Sequence, residues 1–74
     1  MTEPKTISEL ITLIQKECKE GNYKSAIIYL NRAIEIDPNK AYLYNYRAEI
    51  KRKSGDNEGA EEDDKKADKL KSNL

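Results

Sequence analysis

GNYKSAIIYLNRAIEIDPN, residues 21–39, decides how the rest of the chain is read. Gly21 and Asn22 form a turn signal that stops whatever precedes them. From there Tyr23, Ala26, Ile27, Leu30, Ala33 and Ile34 recur at spacings of three and four, which places them on one face of a helix. Ile28 and Ile36 add to the flank of that face. Asp37-Pro38-Asn39 then ends the helix, because proline disfavours helical backbone before it and tolerates the first turn of the next helix. The spacing predicts a helix over 23–36 between a glycine turn and a proline break.

On the N-terminal side, ISELITLIQKECK at 7–19 repeats the pattern. Ile7, Leu10, Ile11, Ile14 and Cys18 share a face, and Pro4 and Thr6 suit the start of the helix. On the C-terminal side, KAYLYNYRAEIKRK at 40–53 sets Tyr44, Ala48 and Lys51 on one side, with Leu43, Arg47 and Ile50 beside them. Ser54-Gly55-Asp56 closes that helix. NEGAEEDDKKADKLK at 57–71 is helical by propensity, yet Ala60, Ala67, Leu70 and Leu74 are nearly all its apolar content. Its Glu61–Lys65 and Glu62–Lys66 pairs contribute only about 0.2–0.5 kcal/mol each.

The chain also matches itself at an offset of 34 residues. Pro4 meets Pro38, Gly21 meets Gly55, Ala26 meets Ala60, Ala33 meets Ala67, and Ile36 meets Leu70. Leu10 meets Tyr44, and Ile14 meets Ala48. A helical hairpin written twice, with small residues at matched positions, is the mark of a stacked repeat in which helices approach closely.

Composition narrows the function classes. The 74 residues are 36% hydrophobic and 38% charged, with a net charge of zero, which fits one small folded domain rather than a disordered, highly charged chain. Residues 1–53 hold ten Lys/Arg against seven Asp/Glu, and residues 54–74 hold four against seven. Neither excess is large enough to predict nucleic-acid binding. A single cysteine excludes an internal disulfide and fits a reducing compartment, so the expected location is the cytoplasm. No apolar run approaches the ~20 residues of a membrane span. The chain begins at Met1, which fits a complete chain or an N-terminal piece of one.

Chemistry is sparsely provided. There is no histidine, so the commonest general base and metal ligand is missing. Cys18 has no base beside it and reads as a packed helix thiol. No glycine-rich phosphate loop implies a cofactor, and none is expected. Glu61-Glu62-Asp63-Asp64 splays around a helix instead of converging on a metal, and reads as a solvated face. Arg47, Lys51, Arg52 and Lys53 could touch phosphate, but Tyr42, Tyr44 and Tyr46 at spacings of two spread around a helix and make no stacking platform.

In Gly21, Tyr23, Ala26, Leu30, Ala33 and Pro38, and again in Tyr44, Ala48, Gly55, Asp56, Ala60 and Ala67, the chain resembles the tetratricopeptide repeat family. The resemblance covers nearly the whole chain. It implies an all-α fold: two antiparallel helical hairpins, four helices, stacked as a short right-handed solenoid. It also implies one domain over 1–74, with repeat one at about 7–40 and a degenerate repeat two at about 41–74.

Three positions depart from the family pattern. Ile14 stands where glycine or alanine is usual, and Asn57 and Asp64 stand where the first copy has the wedges Tyr23 and Leu30. The expectation is a last helix that packs poorly, frays, or serves as a solvent-facing polar cap on the stack, the cap being preferred. Overpacking at Ala26 should then cost more than at Ala60. Two repeats are also few, since stacks of this kind usually need about three. Either a longer array or another subunit supplies the missing neighbour, or the two hairpins are only marginally stable.

The resemblance implies a non-enzymatic protein–protein interaction module whose first helices line a concave face. In the first copy that face would hold Ser8, Ile11, Thr12, Gln15 and Lys19, and in the second Tyr42, Asn45, Tyr46, Glu49 and Lys53. Of these, Ile11, Gln15, Tyr42, Asn45, Tyr46, Glu49 and Lys53 are the candidate partner-binding residues. Asn45 stands where the family often has an asparagine that bonds a bound peptide, and an amide both donates and accepts. The carboxylate grip of the chaperone-tail-binding subgroup is not implied, because Ile11 and Gln15 replace its lysine and asparagine. The expected partner is another protein or peptide, with self-association through exposed repeat edges as the alternative.

Overall fold

The computed structural model describes residues 5–72. Among these residues the chain forms four α-helices and no strand: α1 Ile7–Lys19, α2 Tyr23–Ile36, α3 Ala41–Lys53 and α4 Asn57–Ser72. The sequence periodicity locates them closely. Lys40, expected as the first residue of α3, is its N-cap, and α4 runs on to Ser72. Pro4 and Leu74, both part of the sequence pattern, lie outside the described residues.

Local chemistry sets each boundary. The Thr6 hydroxyl accepts the Glu9 N–H at 3.1 Å and donates to Glu9 Oε1 at 3.0 Å, a side-chain cap on α1. At the α2–α3 junction the Asp37 carboxylate accepts the Asn39 N–H at 3.2 Å, and the Tyr44 hydroxyl donates to the Pro38 carbonyl at 3.0 Å. The proline break is therefore tied back onto the helix that follows it. At the start of α4, Asp56 Oδ1 accepts the Gly59 N–H at 2.9 Å. A side chain at Gly59 would collide with that carboxylate.

The internal repeat is legible in individual hydrogen bonds. Asn22 N–H reaches the Glu17 carbonyl at 2.8 Å, and Asp56 N–H reaches the Lys51 carbonyl at 2.8 Å. Gly21 N–H bonds the Cys18 carbonyl and Gly55 N–H bonds the Arg52 carbonyl, each at 3.1 Å. These two bonds per turn form the same C-terminal cap, 34 residues apart. The cap needs a left-handed residue after the helix, and Gly21 (φ 78°) and Gly55 (φ 94°) supply it.

In sequence order, α1 packs on α2, α2 on α3, and α3 on α4, with α3–α4 the most extensive pairing. The apolar core joins the first three helices: Leu10 and Ile14 from α1, Ala26, Leu30 and Ala33 from α2, and Leu43 and Ile50 from α3. Each large member contributes about 1.5–3 kcal/mol by leaving water. Leu43 and Ile50 are 0% and 2% exposed.

Two expectations are corrected. Ile28 and Ile36 do not flank the buried face of α2: they are 57% and 51% exposed. The last helix is not loosely packed either. Ala60 and Ala67 are fully buried and Asp63 is 4% exposed. Small side chains let α4 approach α3, and an inward-facing carboxylate takes the place of an apolar wedge.

Candidate functional site

α3 is the helix on which both the core and the candidate site depend. One side sends Leu43, Tyr44, Ala48 and Ile50 inward. Another side displays Tyr42, Asn45, Tyr46 and Glu49 at helical spacings of three and four. These four residues line one open groove, whose remaining wall is Arg52 and Asp64. Tyr42 is 48% exposed, Asn45 and Tyr46 are half-buried, and Glu49 is exposed. The groove thus offers two aromatic rings, an amide that donates and accepts, and a carboxylate.

Its wall is electrically closed. Arg52 of α3 and Asp64 of α4 form an ion pair, so neither presents a free charge. Glu49 forms no ion pair among the described residues. Its charge is felt by the neighbouring Tyr46 phenol. Burial is the main cause raising Tyr46 above its ordinary pKa, and Cys18 and Glu49 raise it further. The same neighbourhood keeps Cys18 a thiol: burial pushes its pKa up, Lys53 pulls it down, and Glu17 and Glu49 push it up again. A raised thiol pKa lowers the fraction of thiolate, the form that nucleophilic or redox chemistry uses.

The groove stays in place because α3 is anchored from behind. Arg47 Nε and Nη2 donate to the two Asp63 oxygens at 2.8 and 2.7 Å, and Nη1 donates to Asn31 Oδ1 of α2 at 2.8 Å. Lys51 Nζ lies 3.0 Å from Asp63 Oδ2. The guanidinium also sits 5.5 Å from the centre of the Tyr44 ring. Three helices meet at this one side chain. Burial pushes the Asp63 carboxyl up, but hydrogen bonds from Arg47 and Lys51, with their charges, prevail and hold it below the usual carboxylate range.

The seven candidate residues do not all converge. Tyr42, Asn45, Tyr46 and Glu49 share the α3 groove. Ile11 is half-buried on α1 and Gln15 is exposed there, and neither lines that groove. Lys53 lines a different depression, with Gly21, Asn22, Tyr23, Lys24, Ser25 and Ser54. Arg52 and Asp64 are groove residues that helical spacing alone does not reveal. The signal for them lies in opposite charges on adjacent helices, but only the observed helix contact makes them partners. Arg47 and Lys51, possible phosphate contacts by sequence, are committed to Asp63.

The fold agrees with comparisons to known proteins. The sequence model of the tetratricopeptide repeat family matches residues 29–62, from the second half of α2 through α3 into α4. That match and the relative that follows support a tetratricopeptide repeat family. The tetratricopeptide repeat protein 36 homolog of Nematostella vectensis is 38% identical to this chain over 55 residues. That alignment covers 74% of this chain and 30% of the relative, so the chain spans about a third of that protein's length. Tetratricopeptide repeats are generally non-enzymatic and mediate protein interactions. Among the described residues, no helix is long and apolar enough to cross a membrane.

Proposed function

We propose that the chain is a non-enzymatic protein-interaction module, a scaffold element that holds an extended peptide or protein segment on the face lined by α1 and α3. The reading takes residues 1–74 as one domain, with repeats at about 7–40 and 41–74. The convergence of Tyr42, Asn45, Tyr46 and Glu49 on one open groove is the observation that supports it. Asn45 bonds the backbone of the bound segment in both directions, while the tyrosines give apolar contact with a polar tip. Ile11 and Gln15 on α1 extend the contact beyond the groove, and Lys53, in the neighbouring depression, acts only by its charge at a distance. The half-buried, unpaired Cys18 thiol fits work in the reducing cytoplasm.

The experiment is a selection of binding peptides from a displayed random library, followed by affinity measurement on variants. Asn45→Ala should weaken the selected peptides by about 1–3 kcal/mol, because their paired backbone groups lose a partner. Lys53→Ala should change mainly the salt dependence. Unchanged affinity in Asn45→Ala would remove the groove asparagine from the account.

A second reading has its own observation. Ile28 and Ile36, 57% and 51% exposed on α2, supply apolar surface through which two copies could stack. Analytical ultracentrifugation separates the readings: a concentration-dependent mass lost in Ile28→Ser/Ile36→Ser supports stacking, and a strict monomer at high concentration removes it.

A further inference from the structure

We infer that the α3 groove selects a segment bearing a basic side chain, arginine above all; this rests on the groove reading just given. The inference follows from which charges in the groove are already satisfied. Arg52 and Asp64, its two walls, neutralise each other. Lys53 faces another depression. Glu49 is then the groove's remaining charge: exposed, with no ion pair among the described residues, and close enough to raise the Tyr46 phenol. It lies one and two helical turns beyond Tyr46 and Tyr42, so both rings and the carboxylate line the same groove.

A cation fits that arrangement in three ways. Its aliphatic stem lies along the rings, its charge meets the ring faces, and its head meets the carboxylate. Arginine is favoured over lysine because a planar guanidinium both stacks on an aromatic face and forks onto a carboxylate. An acidic segment would instead face Glu49 with like charge.

The test uses three terminally blocked leucine-rich peptide libraries with the central position fixed as arginine, citrulline or glutamate. Binding is read by fluorescence anisotropy on the intact chain. The arginine library should bind about fivefold tighter than the citrulline one at low salt, and the advantage should shrink as salt rises. Glu49→Gln should erase the preference. Glu20→Gln, at an exposed residue after α1, should preserve it, and Glu49 is itself exposed, so the fold should tolerate its change. Equal binding of arginine and citrulline libraries, or a preference that survives in Glu49→Gln, would overturn the inference while leaving the groove standing. Binding by none of the three would overturn both.

Discussion

Asp63 shows how a single residue can reverse its apparent role. In sequence it is the third of four consecutive acids, and a run of that kind usually faces water. In the structure it is 4% exposed and receives Arg47 and Lys51 together. Removing one side of a buried pair leaves the other charge uncompensated, at a cost of about 3–5 kcal/mol. Asp63→Asn should therefore lower stability in urea melts by several kcal/mol, while Asp68→Asn, at an exposed position of the same helix, should change it little. The pH dependence has a definite sign. The folded Asp63 carboxyl lies below its unfolded value, so its contribution is full above the unfolded value near ~4 and disappears as pH falls through the folded one. The stability gap between the native chain and Asp63→Asn should close on acidification. A gap that stays constant from pH 7 down to about pH 2 would contradict the ion-pair account.

The helices themselves are largely legible in the sequence. Apolar residues at three and four mark their faces, and Gly21, Pro38 and Gly55 mark their ends, because left-handed backbone and missing donors are properties of single residue types. What is not legible is how α4 packs. Its inward face carries two alanines and an aspartate, so periodicity of apolar residues has little to register. The partners of Asp63 and Asp64 lie on the neighbouring helix, 16 and 12 residues away, and become visible only when the hairpin closes. The exposure of Ile28 and Ile36 is hidden for the converse reason: they are apolar, but α2 turns its other side to the core. This alters what to expect of the two hairpins. Ala26 and Ala60 are both fully buried at matched positions. Ala26→Leu and Ala60→Leu should each cost about 1–3 kcal/mol by forcing their helices apart. Urea melts check this, and a near-neutral Ala60→Leu would restore the picture of a loose second hairpin.

At the scale of the whole molecule, the four helices divide into an apolar body, α1 to α3, and a last helix held by small residues and charge. The α3 groove lies beside that junction, with Asp64 of α4 pairing Arg52 in its wall. The candidate site is correspondingly half legible. Tyr42, Asn45, Tyr46 and Glu49 follow from helical spacing on one element, whereas the α4 contribution needs two helices in contact. The site's geometry thus depends on the same hairpin closure that Asp63 secures. The central claim is that this groove on α3 receives a peptide, and backbone NMR titration of the chain with library-selected peptides tests it most directly. The account predicts shifts clustered on Tyr42, Asn45, Tyr46 and Glu49. Shifts confined to Ile28, Arg32 and Ile36 of α2, or to residues 61–69 of α4, would contradict it.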